Sequence, residues 1–259
     1  MAIILKSQRE IELMRRAGSV VAGVLSKIKE IAEPGMTTGY LNKVAEDMSA
    51  EAGAETLFKG VKSPYARIPF PGAICASVND QIVHGIPSEE LQLKNGDLLS
   101  VDFGVMLDGY CGDSAVTIGI GDVSTEDQML MDVTKETLGI AIECLRPGVK
   151  WSQIAAKMQR HAEKAGFGVV TEYVGHGIGR EMHEDPTVPN FVSADLLRND
   201  ILITEGMVLA VEPMINAGTG RTRTLSDGWT VVTADGKKSA HFEHTIAINK
   251  NGCEVLTSE

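Results

Sequence analysis

Pro34-Gly35-Met36-Thr37-Thr38 opens a helical pattern that closes at Glu51-Ala52-Gly53, and Pro147-Gly148-Val149-Lys150-Trp151 opens another that closes at Lys164-Ala165-Gly166. Adding 113 to positions 34, 35, 52 and 53 gives 147, 148, 165 and 166, with no gap. Inside, Leu41, Val44, Ala45 and Met48 fall on Ile154, Lys157, Met158 and His161, which keeps only part of the apolar face. A longer amphipathic helix precedes each segment and is stopped by the proline, which lacks an amide donor and clashes with the preceding turn. Ser7 with Glu10 three residues on forms a capping box for the first of these. Ser124 with Asp127 marks the start of the second, expected to run to Arg146. Chance similarity between two Pro-Gly helix breaks is the alternative; the ungapped Ala-Gly match favours duplication.

Strands follow the helices in both halves. Leu98 to Val105 and Tyr110 to Ile120 flank Leu107-Asp108-Gly109, whose Asp-Gly is a hairpin turn signal. In the second half, Val208 to Ile215, Thr230 to Thr233 and Ala240 to Ile248 read as strands, with Asp235-Gly236 at a turn. The order helix, helix, strands therefore occurs twice, over about 1–120 and 121–259. No Pro-, Gly- or Ser-rich linker separates the halves, so the expectation is one α+β domain spanning 1–259 with a site at the seam.

Composition sets the bounds. A chain of 259 residues that is 43% hydrophobic can build one large core. A formal net charge of -11 disfavours a sequence-independent grip on nucleic acid phosphates. Cys75, Cys111, Cys144 and Cys253 form no C-x-x-C pair, which argues against a zinc knuckle and fits a reducing compartment. The opening Met1-Ala2-Ile3-Ile4-Leu5-Lys6 is too short an apolar stretch for a signal peptide, and no run approaches membrane-spanning length. A cytoplasmic protein without membrane association is expected.

Five residues stand out against that background: Asp102, Asp113, His176, Glu212 and Glu243. Asp102 interrupts the apolar run from Leu98 to Val105, and Glu212 the run from Met207 to Met214. An unpaired carboxylate buried in such a strand costs several kcal/mol unless a cation or donor meets it. The turn at Leu107 to Gly109 puts Asp113 opposite Asp102 or one diagonal step away, on the same face. Val211-Glu212 takes the place in the second half that Val101-Asp102 holds in the first, and Glu243 matches Asp113. His176 lies among small neighbours in Gly175-His176-Gly177-Ile178-Gly179. A single strand carboxylate is usually an ion-pair partner. Four of them with one imidazole and no thiolate point to a two-metal hydrolytic centre, suited to Mn, Fe(II), Co or Zn.

Asn79-Asp80-Gln81-Ile82-Val83-His84-Gly85-Ile86-Pro87, the Gly175 to Gly179 run with His183-Glu184-Asp185-Pro186, Glu212-Pro213-Met214, and Asp227-Gly228-Trp229-Thr230 leading to Phe242-Glu243-His244-Thr245 together closely resemble type I methionine aminopeptidases. The resemblance runs from Leu5 to Val255 and matches the short bacterial form. It implies the pita-bread fold: two pseudo-twofold related α+β halves, a curved antiparallel sheet and helices on the outside. It implies removal of the initiator methionine from nascent proteins whose second residue is small. Asp113 and Glu243 would bridge two divalent ions, Asp102 would complete one site, and His176 with Glu212 the other. Glu212 would also carry a proton, while His84 and His183 would donate hydrogen bonds to the substrate. Phe70, Cys75, Met182 and Trp229 match the methionine pocket. Nascent polypeptide N-termini are the implied partners, with the ribosome open as a further one, and a monomer is expected.

Three positions depart from the family pattern: Met182 stands where an aromatic residue is frequent, Cys111 where histidine is, and His241 where glutamine is. By alternation, Cys111 and His241 share faces with Asp113 and Glu243, so both are expected near the metals. Cys75 and Cys111 are expected to react with thiol reagents and to be shielded by a methionine analogue. His161 and His244 read as structural. Ala2 is small, so Met1 is itself an expected substrate for other copies. Two alternatives share the fold: a proline-directed aminopeptidase or dipeptidase, and a non-catalytic binding protein.

Overall fold

The structure is a computed structural model that describes residues 3–258; Met1 and Ala2, the site of the expected self-processing, lie outside the described residues. Helix α1 (Gln8–Ile31) starts at the Ser7–Glu10 capping box, and α2 (Thr38–Ala52) ends at Gly53 in the left-handed conformation, φ 67°. Short β1 (Glu55–Thr56), β2 (Cys75–Val78) and β3 (Gln81–Val83) precede the long hairpin of β4 (Leu98–Leu107) and β5 (Tyr110–Gly119). Asp108 and Gly109, φ 52° and 77°, make its two-residue turn, the geometry that matches the right-handed twist of paired strands.

The second half repeats this plan. Helix α3 (Thr125–Cys144) starts at N-cap Ser124 and ends two residues before Arg146, because Leu145 already turns away at φ -69°, ψ 111°. Its counterpart after α1, Ala32, has φ -66°, ψ 111°. Helix α4 (Trp151–Lys164) begins 113 residues after α2, since 38 and 113 give 151. Leu41 and Ala45 are buried, as are Ile154 and Met158 at the equivalent places; the other two pairs do not keep the face. Thr37 bridges Gln92 just before α2, and Lys150 bridges Leu202 just before α4.

After α4 come β6 (Gly168–Val169), β7 (Gly175–Gly177), β8 (Glu184–Val188), the short helix α5 (Ala194–Arg198), β9 (Val208–Val211), β10 (Met214–Asn216), β11 (Thr222–Thr224), β12 (Val231–Thr233), β13 (Ser239–His241), β14 (His244–Asn249) and β15 (Gly252–Val255). Two predicted strands are thus broken: Val208 to Ile215 splits at Glu212-Pro213, and Ala240 to Ile248 at Phe242-Glu243. Pro213 has no amide to continue the ladder. The strands then divide between two sheets: β9 and β14 pair in the five-stranded order β15-β14-β9-β7-β8, and β10 pairs with β13 and β6.

Helices α1 and α2 bury Val21, Val24, Ile28 and Leu41 against Leu99, Val101 and Phe103 of β4. Helices α3 and α4 bury Leu138, Trp151 and Met158 against Leu209, Val211 and Ile246. Burial on the order of 25 cal/mol per Å2 of apolar surface makes these two layers the main source of stability. Both sheets therefore turn their other faces toward the seam.

Candidate metal centre and substrate cavity

The two strand breaks lie side by side, because Val211 pairs with His244 and Met214 with His241. Glu212 and Glu243 are thereby brought together at the seam. The hairpin of the first half reaches the same point: the Glu243 amide donates to the Ala115 carbonyl at 2.9 Å, and the Asp113 amide to Thr245 Oγ1 at 3.1 Å. Thr245 Oγ1 returns a bond to the Asp113 carbonyl at 2.7 Å. Asp113 faces Gly104 across the hairpin, so Asp102 is its diagonal neighbour. Cys75 pairs with Asp102 from the other side of β4.

Asp113, His176 and Glu243 bring ligand atoms within 4.8 Å of one another. Glu212 Oε1 lies 3.7 Å from His176 Nε2, and Asp113 Oδ2 lies 3.9 Å from the same nitrogen. His176 Nδ1 is 2.9 Å from the Gly177 carbonyl, which only accepts, so Nδ1 carries the proton and Nε2 offers its lone pair to the centre. The small neighbours of His176 serve packing: a Cβ on Gly175 or Gly177 would come within 2.4 Å of the Ala210 oxygen or 2.3 Å of the Asp185 oxygen.

Burial pushes Asp102, Glu212 and Glu243 well above the usual carboxylate range, and their acidic neighbours push them further. Burial likewise lifts Asp113 to about 7. His84 and His176 are pushed down to about 4 by burial, then by His183, and burial also lowers His183 itself. Asp102 Oδ1, Asp113 Oδ1 and Glu243 Oε1 are buried without a hydrogen-bond partner. Among the described residues, no lysine or arginine forms an ion pair with any of the five. Orphaned carboxylate oxygens around a neutral imidazole fit divalent ions, which would satisfy the oxygens and neutralise their charge.

A cavity of about 140 Å3 opens on this centre and takes in Asp102, Asp113, His176, Glu212, Glu243, His84 and His183. Its apolar wall is made by Phe70, Cys75, Met182 and Trp229, the four residues singled out from sequence, together with Phe58. Phe70 and Trp229 meet edge to face with centroids 5.3 Å apart, and Trp229 Nε1 donates to the Ile68 carbonyl at 3.0 Å. Asp227 fixes that turn by accepting from the amides of Trp229 and Thr230. His84, at φ 58°, packs edge-on against Tyr173 at 5.6 Å, and His183 stacks obliquely on His176 at 4.3 Å.

Sequence reasoning missed Phe58, Val83 and Tyr173 in the lining, and Asn190, whose Nδ2 donates to the Glu212 carbonyl at 3.0 Å. Thr245 was legible in principle, two residues after Glu243 on an alternating strand. His241 does reach the centre, with Nε2 3.7 Å from Glu212 Oε2. Cys111 does not line the cavity; its thiol turns to the Arg180 carbonyl at 3.6 Å. Cys75 and Cys111 are both buried, and burial raises both thiols, Cys111 to about 12. Burial and a raised pKa leave little thiolate at either position, which runs against the expected reactivity. His161 bonds to Glu136 and His244 to Thr257, both away from the centre, as structural histidines do.

The model of metallopeptidase family M24 matches residues 12–250. A methionine aminopeptidase of Aquifex aeolicus is 46% identical over 257 residues, covering 99% of both chains. Methionine aminopeptidase 1 of Bacillus subtilis is 45% identical over 255 residues, covering 98% of this chain and 99% of its own. The crystal structure of a methionine aminopeptidase from Thermotoga maritima superposes with a TM-score of 0.93 at 39% identity, covering all of both chains. A prolidase from Pyrococcus furiosus, 21% identical, shares the fold with a TM-score of 0.77; this chain covers 66% of it.

Proposed function

The chain belongs to the methionine aminopeptidases of metallopeptidase family M24, and on that premise we propose that Asp102, Asp113, His176, Glu212 and Glu243 hold two divalent ions while His84 and His183 grip the peptide. The observation that carries the assignment is the set of orphaned, buried carboxylate oxygens facing an imidazole lone pair. Asp113 and Glu243, joined across the seam by the Glu243–Ala115 and Asp113–Thr245 bonds, would be held in common by the ions. Asp102 would complete one site, and His176 with Glu212 the other. When bound, the ions lower the pKa of water and polarise the scissile carbonyl.

The residues of the chain do the rest. The apolar wall of Phe70, Cys75, Met182 and Trp229 receives the methionine side chain, where thioether–aromatic contact is favourable. Burial keeps both imidazoles neutral: His84 accepts from the peptide amide through its unprotonated ring nitrogen, and His183 donates through its N–H to the carbonyl oxygen. A neutral donor stabilises developing negative charge on the carbonyl oxygen without adding a cation beside the metals. Glu212, within 3.7 Å of both His176 and His241, accepts a proton and returns it to the leaving amine. Nascent chains with a small second residue are the substrates in this reading, the chain passing between His84 and His183 of the cavity lining. The ribosome is a further contact in this reading, and the protein acts as a single 259-residue domain and as a monomer. Calorimetric titration of metal-free protein with Mn or Co tests the centre. Two ions per chain are expected, and a stoichiometry of none contradicts the assignment.

A further inference from the structure

The loop that carries His183 is fastened by a residue from the other end of the chain. Lys6, on the extended segment before α1, buries its side chain to 4% exposure and sets Nζ 2.5 Å from Glu184 Oε2. The same ammonium donates to the Ile4 carbonyl at 2.9 Å, and the Lys6 amide donates to the Gly206 carbonyl at 2.7 Å. Glu184 directly follows His183. Its second oxygen accepts from the amides of Arg180 at 2.9 Å and Glu181 at 3.3 Å. One carboxylate thus closes the loop between β7 and β8 on itself and ties it to the amino-terminal segment. A Cβ on Gly179 would lie 2.4 Å from Glu184 Oε1 and 2.5 Å from Lys6 Cε, so both side chains rest directly on the loop backbone.

Neither Lys6 nor Glu184 lines the cavity. The His183 ring, among the described residues, contacts His176 and makes no hydrogen bond of its own, so its aim is set by the backbone beneath it. We infer that Lys6 and Glu184 are positioning residues that hold His183 over the substrate carbonyl. The inference rests on the reading of His183 as a substrate donor. A buried ion pair constrains both partners strongly, because loss of either leaves an uncompensated charge. Replacing Lys6 releases Glu184 from one side, and the residue that moves with it is His183.

The test is steady-state kinetics of metal-loaded protein on Met-Ala-Ser, with Lys6→Met, Lys6→Arg and Glu184→Gln made alone and in a His183→Ala background. Lys6→Met and Glu184→Gln should lower kcat about 10- to 100-fold, the scale of a small misplacement of a reacting group, with KM and metal content nearly unaltered. Lys6→Arg should recover most of the loss. In the His183→Ala background neither variant should lower kcat further, because the group they act through is gone. Glu184→Gln keeps the amide contacts and carries the test if Lys6→Met fails to fold. Full kcat in Glu184→Gln, or the same fractional loss in both backgrounds, overturns the positioning role. Full kcat in His183→Ala with Lys6 intact overturns the donor reading and the inference together.

Discussion

Asp113 pairs across the β4–β5 hairpin with Gly104, which leaves Asp102 one diagonal step away on the same face. A Cβ on Gly104 would lie 3.1 Å from Asp113 Oδ1, so glycine at that place gives the carboxylate its room. Two carboxylates so placed repel unless a cation lies between them, and the seam brings Glu212 and Glu243 into the same space.

Asp113→Ala and Glu243→Ala should each abolish binding of both ions, because each bridges in this account. His84→Ala should keep its metal and lose about two to three orders of magnitude in turnover, the scale of one hydrogen bond made in the transition state. Metal analysis of the purified variants distinguishes them, and loss of metal in His84→Ala contradicts the role given to His84.

Metal-free protein should lose stability as pH rises from about 6.5 to 8. Asp113 titrates near 7 when folded, and Asp102, Glu212 and Glu243 lie well above their usual range. Folded carboxyls with raised pKa stabilise fully below about 4, and that contribution is lost as pH climbs through the folded value. The histidines facing them, His84, His176, His183 and His241, are lowered and act oppositely, losing stability only as pH falls below 6.5. Above 6.5 the carboxyls set the slope, and the raised thiols of Cys75 and Cys111 add to it with the same sign toward pH 8. Urea midpoints of metal-free and metal-loaded protein at the two pH values should show the fall only without metal.

Residue types and spacing carried much of this in the sequence. The capping box at Ser7, the Asp108-Gly109 turn and the two Pro-Gly breaks are local, so they could be read without a fold. The proposed carboxylate ligands stood out because carboxylates in apolar runs conflict with their surroundings. Pro213 was a local sign of the first break that the strand reading passed over, whereas the break at Phe242-Glu243 had none, because passing from one sheet to another there depends on partners far away in sequence. Phe58 and Tyr173 carry no local sign of lining a cavity, and the burial of Cys75 and Cys111 is likewise a property of what packs over them.

Gly228 sits at φ 78°, and a Cβ there would meet the Tyr65 oxygen at 2.1 Å. Gly228→Ala should destabilise the protein by at least about 1 kcal/mol and lift the 63–68 loop from Trp229. Because Trp229 walls the cavity, KM for methionyl peptides should rise more than kcat falls. Unchanged KM would separate that loop from substrate binding in the cavity.

Thiol reagents should modify Cys144 and Cys253, which are partly exposed, well before Cys75 and Cys111. A buried thiol with raised pKa has little thiolate to react. Mass mapping of labelled protein checks the order; early labelling of Cys75 with loss of activity would show that the cavity opens more widely than the structure does.

Hydrolysis of matched peptides by metal-reconstituted protein, with metal counted per chain, tests the central claim most directly. Methionine should be released readily from Met-Ala-Ser, hardly at all from Met-Leu-Ser, and Ala-Pro should remain intact; on the proposed reading a bulky second residue clashes with His84 or His183, and such exclusion exceeds the ~1–3 kcal/mol that one methylene commands in an apolar pocket. The same activity should remove Met1 ahead of Ala2 in other copies of the chain once any formyl group is gone. Release from Met-Leu-Ser as fast as from Met-Ala-Ser, or cleavage of Ala-Pro in preference to both, contradicts the account.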